Sequence, residues 1–307
     1  MIRECVKRKL IITTFALIVF FITLTFPKVE EKIENVTISY QSGNTFPIYL
    51  LDKDNLVART TLAMKETSTI DQAKEIISFL TINNAKSAYI PATFEPVIPS
   101  NTTLLSIDIQ DQVLKVNLSK EFLNVAKGYE EKMIECLVYS LTELENVKGI
   151  ILYVEGNMLK KIPNTDISLP SLLTRDIGVN KMYNLNSIKN VSKTTTYYIA
   201  KENNAIYYVP VTLLENNDKN KIEIVIERLK SNPSLRTNLM SYLNASTELS
   251  NYEILEETVY LSFSPLLYEG LANTEMTEVV KYSISLSLKD TLNIKNVIFT
   301  EDTTKAE

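Results

Sequence analysis

LLSIDIQDQVLKVNLS, residues 104–119, returns 145 positions later as LSNYEILEETVYLSFS, residues 249–264. Each stretch alternates apolar and polar residues on either side of a short polar break. That is the pattern of two half-buried antiparallel strands and a turn. In the first, Gln110-Asp111 reads as the turn. Leu105, Ile107 and Ile109 share one face, and Val116 and Leu118 continue it on the return strand. Val259, Leu261 and Phe263 alternate in the same way in the second. The chain therefore reads as two copies of one small unit.

The repeat extends outward on both sides. Upstream, FPIYLLDKDNLVARTTLA (46–63) matches TYYIAKENNAIYYVPVTL (196–213), with Tyr49 aligned to Tyr198 at a separation of 149. Both predict a strand pair around an Asx-rich turn. A helix follows in each, with Thr69 as the first copy's expected cap and Gln72 as its reciprocal partner. Ala73, Ile76, Ile77 and Leu80 form its apolar stripe, with Lys74 and Glu75 opposite. Ile222, Val225, Ile226 and Leu229 form the matching stripe. Downstream, Met133, Leu137, Leu141 and Leu144 predict a second helix, matched by Val280, Ile284 and Leu288. A last apolar strand follows, Val147–Leu152 and Ile294–Phe299, in which Gly149 and Asn296 share a position that tolerates positive φ.

Each copy thus reads β-β-α-β-β-α-β. The expected fold is α+β: two tandem two-layer domains, each a mixed sheet with two helices on one face. Domain 1 is expected at 45–156 and domain 2 at 196–302, with a linker at 157–195 and a tail at 303–307. Each is long enough to hold its own core. Leu169, Leu172, Leu173 and Ile177 give the linker an apolar side with which a short helix can pack.

The N-terminus has another composition. Leu10–Phe26 has no charge, Gly or Pro, and Pro27 ends the run. At 1.5 Å per residue, such a helix is near the short end of a membrane span. Arg3, Lys7, Arg8 and Lys9 precede it, against Glu4 alone. That bias predicts a cytoplasmic tail at 1–9, a transmembrane anchor at 10–27 and a juxtamembrane linker at 28–44, with both domains extracytoplasmic. A cleaved secretory signal is the alternative. Residues 23–28, Thr-Leu-Thr-Phe-Pro-Lys, lack the small-x-small pair that cleavage favours. The net charge is −5 for the whole chain and −8 for residues 28–307, which argues against nucleic acid. Cys5 and Cys136 fall on opposite sides of the expected anchor, so no disulfide staples the fold.

The chemical inventory is sparse. The chain has no His, which removes His-based triads and HExxH zinc sites. Cys136 lies in an apolar helical stripe, as a structural thiol would. Asp52 and Asp54 are explained by a strand turn. Carboxylates alone can cleave glycans. The candidates are Glu95, Asp108 and Asp111, with Glu253 and Glu257 in the second copy. An acidic solvent face accounts for them equally well. No catalytic residue, metal or cofactor is assigned. Tyr197, Tyr198, Tyr207 and Tyr208 cluster on one predicted hairpin and form the candidate partner surface. Adjacent tyrosines on a strand point to opposite faces, so strand filling is the competing reading.

LLSIDIQDQVLKVNLSKEF (104–122) and SLTELENVKGIILYVEG (140–156) resemble the GerMN-domain family of sporulation and germination proteins. In that family the first segment turns at Asp-Gly and ends in Asp-Leu-Ser. Here Gln112 stands for the glycine and Asn117-Leu118-Ser119 for the final triplet. The second copy departs further, with Glu257 at the turn and Ser262-Phe263-Ser264 at the strand end. The resemblance implies a role in spore formation or germination, and the missing catalytic inventory a non-catalytic one, so the expected function is an envelope protein that assembles or positions a sporulation or cell-wall complex. The competing function is a peptidoglycan-binding or peptidoglycan-cleaving factor. Expected partners are envelope or sporulation-complex proteins, with peptidoglycan and a homo-oligomer as further candidates. The bilayer is contacted through the N-terminal helix. Protease added to intact protoplasts is expected to remove everything after about Lys28. Protection of residues 46–302 would reverse the orientation, and a soluble mature chain would make the run a cleaved signal.

Overall fold

The computed structural model describes residues 45–66, 68–202, 205–233, 238–264 and 274–301. The expected anchor at 10–27 and its flanks lie outside these residues. Among the described residues, no helix is long and apolar enough to cross a membrane. The first copy runs β1 (Thr45–Asp52), β2 (Val57–Ala63), α1 (Thr69–Leu80), β3 (Phe94–Glu95), β4 (Leu104–Gln110), β5 (Val113–Leu118), α2 (Glu130–Leu141), β6 (Gly149–Val154) and β7 (Asn157–Met158). The second is introduced by β8 (Met182–Asn184). It continues with β9 (Val191–Glu202), β10 (Ala205–Asn216), α3 (Lys221–Leu229), β11 (Leu249–Leu255), β12 (Thr258–Phe263), α4 (Thr274–Leu292) and β13 (Asn296–Glu301).

The fold is α+β, but the expectation of one mixed sheet per copy is corrected. The last strands of each copy make small sheets, β4-β5-β6-β7 and β11-β12-β13. The opening hairpins stand apart from their own copies' small sheets and join each other in a third sheet, ordered β3-β1-β2-β10, with β9 also paired to β10. Tyr208 of β10 lies opposite Arg59 of β2, and Leu213–Glu215 pair with β8. The helices are buried accordingly. Nine consecutive residues of α2, Met133–Leu141, are buried. That helix packs against β1 and β2 and also against β6.

Hydroxyl side chains explain why helices can take the place of a neighbouring strand. Ser287 Oγ accepts the Tyr197 N–H at 2.8 Å, and Ser283 Oγ donates to the Tyr197 carbonyl at 2.5 Å. Thr291 Oγ1 accepts the Thr195 N–H at 2.9 Å and donates to its carbonyl at 3.0 Å. Four helical residues rise about 6 Å and two strand residues about 6.7 Å, so the spacings nearly match. The free edge of β9 is thereby capped, which protects an edge strand from stray pairing. Met240 pairs with Ile199 one step further along. In the first copy, Ser140 Oγ accepts the Tyr49 N–H at 2.9 Å.

These caps correct the alignment of the opening hairpins. Ser140 and Ser287 occupy equivalent helix positions, so Tyr49 corresponds to Tyr197, which is 148 residues away, and not to Tyr198. A slip of one residue reverses every side chain on a strand. Tyr49 pairs with Arg59 and Tyr197 with Pro210, so the return strands match at a separation of 151. The two cores do not divide at the boundary between the copies either. One core runs through the first copy and takes in Tyr197, Tyr198, Tyr207, Val209 and Val211. A second lies between α3 and α4 and the strands β12 and β13.

Smaller differences have local causes. Ser68, not Thr69, caps α1, accepting the Asp71 N–H at 3.2 Å. Glu75 is buried, with Lys86 and the N–H groups of Lys65 and Glu66 as partners. The β4–β5 turn is Asp111-Gln112, both at positive φ. A bulge between Leu104 and Ser106 takes Leu105 off the inner face, leaving it 47% exposed. Neither Gly149 nor Asn296 has positive φ. Gly149 is small for another reason: an added Cβ would lie 2.9 Å from Leu172 Cδ1 and 3.0 Å from the Leu173 carbonyl oxygen. The linker is thus an ordered strap, with Leu173 paired to Ile150. Gly149→Ala is expected to cost about 1–3 kcal/mol by overpacking in denaturant unfolding. A loss below about 0.5 kcal/mol, the ordinary surface range, would remove the close approach as the reason for glycine.

Candidate functional site

The tyrosine hairpin does not form the exposed surface expected of it. Tyr197 is fully buried, and Tyr198 and Tyr207 are 4% and 5% exposed. Burial pushes the Tyr198 phenol up to about 12. Tyr207 meets Phe94 edge to face, with ring centroids 5.0 Å apart. Tyr208 is half-buried and meets Tyr282 at 5.1 Å. The physical reason is the shared sheet: β10 has strands on both edges and the first copy's core beneath it. Three of the four side chains are therefore core, and Tyr208 is part of the junction.

The most elaborate polar site in the described residues is this junction. The equivalent tyrosines meet there, with the Tyr49 and Tyr197 hydroxyl oxygens 2.8 Å apart. Each also reaches an acid at the end of its own copy's second helix. Tyr49 donates to Glu143 Oε1 at 2.9 Å, and Tyr197 to Asp290 Oδ2 at 2.6 Å. Arg175, from the linker, completes the group. It donates to Glu143 at 2.7 Å, to the Tyr139 carbonyl at 3.2 Å and to Thr142 Oγ1 at 3.0 Å. It also pairs with Asp290 and lies over the Tyr49 and Tyr139 rings at 5.5 and 5.0 Å. Arg59 Nε is 3.5 Å from Glu143. Burial opposes the Glu143 charge, but Arg175 and Arg59 outweigh it and hold the carboxyl at about 2. Burial pushes the phenols of Tyr49, Tyr139 and Tyr197 well up, so they remain donors.

A second linker residue closes the sheet. The register Arg59↔Tyr208 places Val57 opposite Pro210, which has no N–H to give to the ladder. Asn180 fills the gap with its side-chain amide. Its Oδ1 accepts the Val57 N–H at 3.0 Å, and its Nδ2 donates to the Val57 and Pro210 carbonyls at 2.8 and 2.7 Å. Sequence reasoning missed Arg175, Asn180, Glu143 and Asp290. The signals present were a Tyr and a terminal helix acid in both copies, and the four-residue spacing Ser283-Ser287-Thr291.

The catalytic candidates are dispersed. Asp108 faces solvent on β4, as alternation predicts, with Lys115 across the ladder. Asp111 lies in the turn, and Glu95 is in the other sheet opposite Leu51. Glu253 is exposed, and Glu257 pairs with Lys295. Asp52 is a turn residue whose Oδ1 accepts the Asp54 and Leu56 N–H groups at 2.9 and 2.8 Å. Burial pushes the Cys136 thiol far up, away from a nucleophilic thiolate. Among the described residues no His/Cys/Asp/Glu group could hold a metal. One shallow concavity of about 260 Å³ opens on the outer face of β4-β5-β6. Ser106, Asp108, Lys115, Asn117, Tyr153 and Gly156 line it.

Comparison with known proteins gives three consistent findings. The family model described as Germane, sporulation and spore germination, matches residues 47–160 and 195–307. The spore germination protein GerM of Bacillus subtilis (strain 168) is 27% identical over 279 residues, 88% of this chain and 75% of that protein. The solved tandem GerMN domains of the sporulation protein GerM from Bacillus subtilis superpose with a TM-score of 0.75 at 26% identity. The match covers 85% of this chain and 92% of that one.

The junction has a measurable pH signature. The Glu143 pKa is depressed in the folded state, from an ordinary 4.5 to about 2. Its contribution, about 3 kcal/mol, is therefore present above about pH 4.5 and lost as pH falls toward 2. Glu135 acts in the opposite sense, since burial raises its folded-state pKa despite the Lys181 charge. Comparison with Glu143→Gln isolates the Glu143 share. That variant is expected to lose about 3–5 kcal/mol at pH 7, because it leaves buried arginine charge undercompensated. It should also flatten the acid limb of the unfolding curve. An acid limb unchanged by the substitution would refute the charge assignment.

Proposed function

The chain belongs to the Germane family of sporulation and spore germination, and from that premise we propose that it is a non-catalytic, membrane-anchored envelope protein that assembles or positions a sporulation or cell-wall complex. The observation that carries this reading is the junction. Two copies share one sheet, and Arg175 is bonded to the terminal acids of both. The outer faces of the two small sheets are thus presented by one body, as a positioning module requires. The buried thiol and the scattered carboxylates support a binding role over a chemical one. The charge-flanked run at 10–27 supports single-pass attachment with the N-terminus cytoplasmic and both copies extracytoplasmic; a role in sporulation would make that compartment the space between mother cell and forespore.

A second reading rests on the concavity of the first small sheet. Tyr153 offers an aromatic face beside the polar side chains of Asp108, Asn117 and Lys115, a combination that suits a glycan strand. Peptidoglycan binding is the corresponding function.

Gene deletion with complementation tests the first reading, and purified sacculi test the second. Deletion is expected to lower spore yield or germination, with rescue by the wild-type gene. Normal sporulation and germination would remove the assignment. Incubation with sacculi is expected to release no muropeptides. Fragments that vanish with Asp108→Asn would make the protein a hydrolase. Retention on sacculi that drops at least tenfold in Asn117→Ala/Tyr153→Ala would establish the second reading.

A further inference from the structure

Between β8 and β9 the linker turns outward. Residues 183–191 are exposed without a break. Four large apolar side chains lie among these nine residues: Tyr183 at 64%, Leu185 at 44%, Ile188 at 97% and Val191 at 41% exposure. A single exposed apolar residue needs no explanation, but four in one loop do. The loop is hydrogen-bonded from within. Asn216, the last residue of β10, accepts the Asn186 and Ser187 N–H groups at 2.8 and 3.2 Å. It donates to the Ser187 and Lys189 carbonyls at 2.9 and 2.6 Å. Ser187 Oγ accepts the Lys189 N–H at 3.0 Å, and the Asn217 N–H donates to the Asn190 carbonyl at 3.1 Å.

We propose that this loop is a second membrane contact, with Leu185 and Ile188 entering the headgroup region of the bilayer that holds residues 10–27. The proposal rests on the membrane attachment given under the proposed function. Three observations select a lipid surface as the occupant. The first is the backbone. Polar groups that leave water for a bilayer need partners inside the protein. Asn216, Asn217 and Ser187 supply them around Ile188, so the apolar tip can be desolvated at little cost. The second is charge. Residues 181–193 hold three lysines and no acid, in a chain of net charge −5. Lys181 and Lys193 are engaged by Glu131, Glu135 and Asp176. Lys189 stands exposed next to Ile188, where its stem lies along apolar surface and its ammonium meets anionic headgroups. Tyr183 adds an aromatic ring of the kind that settles at the headgroup level.

The third observation is reach. Residues 28–44 separate the expected anchor from β1, and a chain of that length extends to about 60 Å at most. That exceeds the breadth of a compact domain of this size, whose radius of gyration is about 18 Å. The tether also keeps the bilayer at a high effective concentration, so a contact too weak to recruit a soluble protein is sufficient here. The family matches, 47–160 and 195–307, leave the loop out, so the contact belongs to this linker and not to the repeated unit. A tether alone lets the body turn freely, whereas a tether and a loop restrict how it faces the membrane.

Site-directed fluorescence tests the proposal on the full chain in vesicles of phosphatidylethanolamine and phosphatidylglycerol. Cys5→Ser removes the N-terminal thiol, and Cys136 is buried. An environment-sensitive dye is attached at Ile188→Cys, or at Glu253→Cys on an exposed strand of the second small sheet as the control. The dye at 188 is expected to shift to the blue and to be quenched by nitroxide-labelled lipid, and the dye at 253 to do neither. No quenching at 188, or equal quenching at both sites, would overturn the contact. A blue shift without lipid quenching would mean a protein neighbour and would overturn it equally. Alkaline carbonate separates this from the attachment reading. If carbonate releases the chain, the anchor fails, and the released chain is sedimented with the same vesicles. Binding that falls at least about tenfold in Leu185→Ser/Ile188→Ser would still support the loop, and no binding by the unsubstituted chain would overturn it. Both positions are exposed, so cooperative unfolding is expected to be unchanged in each variant. Should the double variant fail to fold, vesicle quenching of the released chain labelled at 188 decides in its place.

Discussion

The contact between the Tyr49 and Tyr197 hydroxyls is the constraint around which the two copies are arranged. Two buried phenols 2.8 Å apart hold two protons between them, so whichever accepts from the other must send its own proton to an acceptor on its own side. Glu143 and Asp290 supply these, one from each copy. Two buried carboxylates together would be too costly without compensating charge. Arg175 bridges them, with Arg59 beside Glu143. Removing any one member strands the others, which makes the group a coupled unit. It also explains why the linker is ordered: it carries the cation that reaches both acids.

The same junction relates the copies to each other. The register Arg59↔Tyr208 places Ala58 opposite Val209. These positions are 151 residues apart, the separation at which the return strands correspond. Equivalent strands therefore meet antiparallel, at equivalent residues, as two subunits do across a two-fold axis. The tyrosine contact and the paired acids obey the same relation. Pro210 breaks it, since its partner position in the first copy is Arg59, and Asn180 repairs the broken ladder from outside the repeat.

What the sequence made legible was whatever depends on period. The stripes Ala73-Ile76-Ile77-Leu80 and Ile222-Val225-Ile226-Leu229 are buried as read. So are Met133, Leu137, Leu141 and Leu144. What escaped depends on a neighbour in space. Alternation gives a strand two faces but does not say that both will be covered, and so Tyr197, Tyr198 and Tyr207 looked available. The alignment of Tyr49 with Tyr198 failed by one residue because paired tyrosines at 197 and 198 satisfy a pattern equally well. Only the serine caps choose between them. Gly149 carried a correct signal with the wrong cause: its missing Cβ makes room for Leu172 and Leu173, which no local pattern announces.

Divergence between the copies shows how one fold is fitted to two situations. The first copy has glycine at 149, and the strap lies against β6 there. The second has Asn296 at that position, where a side chain needs room, and no described residue lies along the strand edge. The outer sheet faces diverge as well. Across the first, Asp108-Lys115-Ile151 and Ser106-Asn117-Tyr153 form polar rows. Across the second, Glu253-Tyr260-Ile298 sets an aromatic ring where Lys115 stands, and Asn251-Ser262-Thr300 lacks the aromatic that Tyr153 supplies in the first.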